Sequence, residues 1–205
     1  MAEPELFRRI REELKRTVRL LLDQTRRDHP SDRVYAILFE VDVSGTYAIR
    51  VAGSEESLTR LAEKYVTRGY RAKSGDLLET LRTLLRWDAP GDDRDGWYWG
   101  HQGDDAEVTR LIDQAAQAGL IQEYGEDQPL RTLCLDALRE LDSEGAFGSG
   151  RERERVLIGT CCCEVGFGEE DVEKLATLNP PRTISRLRHE LRAAGAADRA
   201  LIRPR

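Results

Sequence analysis

Apolar positions recur at three- and four-residue steps along most of the chain, and that rhythm breaks in two places. Over residues 4–28, Leu6, Phe7, Ile10, Leu14, Val18, Leu21 and Leu22 share one side and charges occupy the other, which predicts a long amphipathic helix. Pro4 suits its first turn, and His29-Pro30 stops it. The first break is Arg33–Ser54. It holds an unbroken apolar run, Val34 to Phe39, and then alternation: Phe39, Val41 and Val43 against Glu40 and Asp42, then Tyr47, Ile49 and Val51 against Ala48, Arg50 and Ala52. Period two predicts strands, and Ser44-Gly45 between them predicts a hairpin. A two-residue Ser44-Gly45 loop would pair Val41 with Ala48 and Phe39 with Arg50, mixing the faces. A three-residue loop, Val43-Ser44-Gly45, pairs Val41 with Tyr47, Phe39 with Ile49 and Ile37 with Val51, and gathers every large apolar side chain on one face. The expected register is therefore the second, with Gly45 in the left-handed position of the loop.

Helical spacing then returns. Ser54 is placed to cap a helix with Glu55 and Glu56 at its positive end; Leu58, Leu61, Ala62 and Tyr65 form its stripe, and Gly69 ends it. Asp76 with Glu79 marks the next start, followed by Leu77, Leu78, Leu81, Leu84 and Leu85, with Trp87 at the end. Residues 105–118 read as helix through Val108, Leu111, Ile112 and Ala115, closed by Gly119. Asp127 is expected to cap another, with Pro129 in its first turn and Leu130, Leu133, Cys134, Ala137, Leu138 and Leu141 buried. The second break, Arg155–Val165, is small or apolar on both faces and reads as a central strand beside the first, with Gly159 marking a close approach. Glu169–Leu178 is a short helix. Asn179 is expected to cap the last one, with Pro180 and Pro181 at its start and Ile184, Leu187 and Leu191 facing in. The fold class is α+β: a small, mostly antiparallel sheet (hairpin 33–54 plus strand 155–165) covered by about seven helices. It forms a single domain over 1–195, and 196–205 is a frayed Arg/Ala-rich tail. A further short strand has two windows, 67–73 and 119–124.

Charge changes the picture in one respect. The chain has 205 residues and a net charge of −6, spread as +2 over residues 1–30, +5 over 182–205 and −13 between them. An acidic body disfavours nucleic acid and fits a basic protein partner through steered association; the simpler reading of it is solubility alone. No apolar run reaches a membrane-spanning length, and charges scattered through the first residues do not fit a signal peptide, so the expected location is cytoplasmic. The sequence leaves the oligomeric state open.

Candidate chemistry is thin. Cys161, Cys162 and Cys163 alternate faces in a strand, so their thiolates cannot converge on one metal; they read as small buried residues, with Cys163 near the strand end as a redox-sensitive remainder. Asp92, Asp93 and Asp95 before Gly96 resemble a calcium loop only faintly, because Gly91 and Gln102 stand where ligands would be needed. Trp97-Tyr98-Trp99-Gly100-His101 lies in the one long irregular stretch, 88–104, and is the best candidate binding surface. The alternative is that one or both tryptophans fold back onto the sheet. Ser149 lies in a turn, without a nucleophile elbow. Arg182, Arg186, His189 and Arg192 form a basic stripe that pairs most simply with the chain's own acids. No residue is assigned a catalytic or metal-binding role, and no cofactor motif is present.

Some of these marks also occur in a familiar order: VYAILFEVD, a hairpin and a Ser-Glu-Glu helix start; Arg86-Trp87-Asp88-Ala89-Pro90; the run at 138–148; Arg153-Glu154-Arg155 leading into a strand; and Leu178-Asn179-Pro180. Together they resemble the bacterial domain-of-unknown-function family numbered 4303, over roughly residues 5–192. The family pattern has a shorter Trp-Ser-Pro-x-x-Trp segment where this chain has the glycine-rich stretch 88–104. The resemblance implies no established activity and carries over no functional residue. The family is similar to small acidic α+β proteins found among bacterial toxin-immunity and accessory genes. Three readings follow: a non-enzymatic protein-binding module, an enzyme using Asp92, Asp93 or Asp95 with His101, and a structural oligomer subunit.

Overall fold

The computed structural model describes residues 3–73, 75–87, 96–101, 103–122, 128–162, 167 and 169–204, without the side chains of Cys162, Glu169 and Glu170. Helix α1 (Glu5–Asp28) follows Pro4 and buries Ile10, Leu14, Val18 and Leu21 completely. Strands β1 (Val34–Val41) and β2 (Ala48–Ser54) form the antiparallel hairpin. Helix α2 (Glu55–Thr67) starts from Ser54, whose hydroxyl accepts the Ser57 N–H at 2.9 Å while Ser57 Oγ accepts the Ser54 N–H at 3.0 Å, a reciprocal cap. After β3 (Arg71–Ala72) comes α3 (Leu77–Leu85), capped by Asp76 as expected. Then follow β4 (Trp97–Tyr98), α4 (Ala106–Gln117), α5 (Pro129–Ser143), α6 (Gly150–Arg153), β5 (Leu157–Cys162), α7 (Glu169–Ala176), α8 (Pro181–Ala200) and β6 (Leu201–Ile202). The main sheet runs β4-β2-β1-β5, with β5 parallel to β1 and the other pairs antiparallel, so the α+β class holds with a mixed sheet. Among the described residues, no helix is long and apolar enough to cross a membrane.

The hairpin register differs from the expected one. Val41 pairs with Ala48, Phe39 with Arg50 and Ile37 with Ala52. The loop is the four residues Val43–Thr46. The Asp42 carboxylate holds it, accepting N–H bonds from Thr46 at 2.9 Å and Tyr47 at 2.8 Å and the Ser44 hydroxyl. Gly45 is left-handed, as expected, at φ 74°. The expected register fails because it assumes one buried face. Ile37, Phe39, Val41, Ala48, Ala52 and Ile158 pack under α1, α4 and α5, while Leu38, Val51, Leu157 and Cys161 pack under α2, α3, α7 and α8. With both faces covered, nothing forces the large side chains onto one side.

Strand β5 lies beside β1, as expected, but at the sheet edge. It is apolar on both faces because helices cover both. Gly159 does mark a close approach: a Cβ there would overlap Leu175 of α7. Asn179 does not cap a helix. Its side chain accepts the Ile158 N–H at 2.9 Å and donates to the carbonyls of Ile158 at 2.7 Å and Leu175 at 3.0 Å, pairing with the strand edge as a neighbouring backbone would. The cap position of α8 is Pro180 and that of α5 is Gln128; Asp127, Cys163 and residues 164 and 165 lie outside the described residues. The tail does not fray: α8 continues to Ala200, and β6 pairs with β3 as a second small sheet. That pairing puts a strand in the 67–73 window.

Candidate functional site

The observed register places Arg50 under α1, where an apolar residue was expected. It is only 1% exposed. Its Nη1 pairs with Asp105, and its Nη2 with Asp104 at 3.0 Å. Asp104 also accepts Gln24 Nε2 at 2.9 Å and the His101 backbone N–H at 3.1 Å. Asp105 occupies the cap position of α4 without making a capping bond, because its carboxylate is committed to Arg50. Gly100 crosses directly over this cluster at φ 74°, and a Cβ there would overlap Arg50 Nη2 and lie 3.2 Å from Gln24 Oε1. Asp104 and Asp105 are thus pinned to β2 by one buried guanidinium, and Asp104 to α1 by Gln24. Burial pulls the Arg50 pKa below its ordinary value against the opposing charge of Asp104. Burial also pushes the Asp104 carboxyl up, but the bonds from Gln24 and His101 and the charge of Arg50 outweigh it and hold Asp104 below the usual carboxylate range.

The aromatic segment forms the edge strand β4 and is not irregular throughout. Trp97 is buried, with its ring edge-on to Tyr35 at 6.0 Å, so it folds back onto the sheet and offers no exposed contact. Gly53 makes room: a Cβ there would lie 2.8 Å from the Tyr35 ring and 3.0 Å from Trp97. Trp99 is half-buried. Tyr98 stacks on His29 at 4.5 Å, and its hydroxyl donates to Asp32 and accepts Arg60 Nη2 at 2.6 Å. Asp32 also accepts the Ser54 hydroxyl at 3.0 Å. Burial raises the Asp32 pKa, but the bonds from Tyr98 and Ser54 and the charges of Arg60 and His29 outweigh it and hold the carboxyl low; burial and the bond to Asp32 hold the Tyr98 phenol high. His101 is exposed, and among the described residues it is bonded only through its backbone. Asp92, Asp93 and Asp95 lie outside the described residues.

Between the end of α1 (Gln24, Thr25, Asp28, then His29) and Trp97–His101 the surface sinks into a depression of about 300 Å³. Gln24 and Thr25 are more than nine-tenths buried, and Gln24 Oε1 and Thr25 Oγ1 have no hydrogen-bond partner among the described residues. Such orphaned groups cost about 1–3 kcal/mol each. Among the described residues, no three His, Cys, Asp or Glu side chains are grouped to hold a metal. A second depression of about 350 Å³ lies across Thr25 and Asp32, against Phe147; of its arginines, Arg33 is engaged by Glu56 and Arg26 by the Ala146 carbonyl.

Residues 14–180 match the sequence model of the family described as Domain of unknown function (DUF4303). The chain belongs to this family. No curated protein and no solved structure matches the chain. In this family member, every residue of the depression at the end of α1 falls inside the matched stretch, whereas α8 and β6 fall outside it. Trp97, Trp99 and His101 stand out in the sequence by residue type, whereas Arg50, Asp104, Asp105, Asp32, Gln24 and Thr25 do not. Two signals were present: a charge inside an otherwise small or apolar strand face, and paired aspartates directly before a helix.

Proposed function

We propose that this DUF4303 protein is a non-enzymatic protein-binding module, of immunity or accessory type, that takes a basic partner on the face built from the end of α1 and the edge segment Tyr98–His101. The observation that carries the proposal is that the buried Arg50–Asp104–Asp105 cluster holds an aromatic segment in place before any partner arrives. Pre-organised aromatic contacts bind at low entropic cost. The charge of −13 over residues 31–181 supports a basic partner. An acid–base reading has less support, since His101 meets Asp104 only through its backbone. The test is capture from a native lysate by the wild-type protein, Trp99→Ala and Asp28→Lys, with folding of each variant checked by circular dichroism. A basic protein captured by the wild type and lost from both variants is expected. The same basic protein captured equally by all three would remove this face from the proposal.

A further inference from the structure

We infer that the depression at the C-terminal end of α1 is a guanidinium site, shaped for one arginine side chain; the identity of the partner as a protein rests on the reading above, but the chemistry of the site does not. One side of its wall is electronegative. Helix α1 is 24 residues long, and the carbonyls of its last turn give that end a partial negative charge. The helix's own last-turn cations, Arg26 and Arg27, are not among the residues that line the depression. Asp28 does line it, is exposed, and has no ion pair among the described residues. Gln24 and Thr25 line it too, and their Oε1 and Oγ1 are buried without hydrogen-bond partners among the described residues. Arg50 lies below, but two carboxylates offset its single charge.

The remaining wall is aromatic: Tyr98 and Trp99, with His29 stacked on Tyr98. Acceptors on one side and rings on the other suit a guanidinium, which is planar, carries five donors, stacks on aromatic faces and is more weakly hydrated than an ammonium. The chain already places one guanidinium near this surface, with Arg60 lying 6.0 Å from the centre of the Tyr98 ring. A volume of about 300 Å³ fits a single side chain and not a helix.

The experiment titrates the full chain with N-acetyl-arginine methylamide, its citrulline counterpart (the same shape without the charge) and its lysine counterpart, following tryptophan emission and the heat of binding. The arginine derivative is expected to bind about 10-fold more tightly than the citrulline one, with lysine between. Asp28→Asn, at an exposed position, is expected to weaken arginine binding about 5-fold and to shrink its advantage over citrulline. Equal binding of the arginine and citrulline derivatives, no binding of any derivative across the millimolar range, or an Asp28→Asn protein that binds like the wild type would each overturn the inference. Arginine binding that persists while partner capture ignores Trp99→Ala leaves the site standing and removes the protein-partner reading. Capture lost in Trp99→Ala without arginine binding does the reverse.

Discussion

Two buried arginines do different work in this molecule. Arg153 sits at the end of α6 with all three nitrogens engaged: Nε with Asp142 at 2.5 Å, Nη1 with the Val156 carbonyl at 2.7 Å and Nη2 with the Leu178 carbonyl at 3.1 Å. Arg50 meets two side-chain carboxylates from Asp104 and Asp105, and its Nε has no acceptor among the described residues. Backbone carbonyls that are buried need a donor wherever they lie. Carboxylates on a loop could instead face water. Arg153 therefore answers a requirement of the fold, whereas Arg50 accepts a desolvation cost to hold the segment after β4 in one place. A buried ion pair is weak grounds for stability and better grounds for specificity of position.

The largest expected effect tests the scaffold half of this comparison. Arg153→Met strands the carbonyls of Val156 and Leu178 and should cost about 3–5 kcal/mol in urea unfolding. The tryptophan emission of the folded state should not change. A loss under about 1 kcal/mol would remove the distinction.

Arg50→Met should cost about 2–3 kcal/mol, because Asp104 and Asp105 keep some contact with water and are not wholly stranded. Adding Asp104→Asn and Asp105→Asn should recover most of that stability while leaving tryptophan emission altered and arginine binding lost. If the triple variant instead binds like the wild type, Arg50 does not position the site. Gly100→Ala comes next, at about 1–2 kcal/mol, since alanine is strained at φ 74° and its Cβ would overlap Arg50 Nη2. Unfolding by urea measures it, and a neutral result would mean that the segment relaxes away from Arg50.

The elements were legible because their signals are local. Helical stripes such as Leu130, Leu133, Ala137, Leu138 and Leu141 are buried as their spacing implies, and Ser54 and Asp76 cap helices as their positions imply. Pairings were less legible. The register turned on whether the second face of the sheet was covered, which depends on α2, α3, α7 and α8 arriving from far along the chain. Asn179 has the local look of a cap, but β5 presents the Ile158 backbone to it. The site was half visible for the same reason: Trp97, Trp99 and His101 stand out by residue type, whereas Gln24, Arg50 and Asp104 acquire meaning only when three distant segments meet.

The smallest effect separates the two arginines by pH. Asp104 is held below the usual carboxylate range, so its folded pKa lies under its unfolded value. A depressed carboxylate contributes stability that is fully present above its ordinary pKa of about 4 and is lost as pH falls through the lower folded value. Asp104→Asn should therefore cost about 1 kcal/mol at neutral pH, and the deficit should close as the pH drops below about 4, where the wild-type carboxylate takes up its proton. Arg153→Met should behave otherwise: the carbonyls of Val156 and Leu178 do not titrate, so most of its deficit should persist across the same range, with only the part owed to the Asp142 carboxylate changing. Urea midpoints measured from about pH 3 to 7 for both variants compare the two slopes. Parallel curves for Asp104→Asn and the wild type would show that the ion pair contributes nothing that depends on the charge of Asp104.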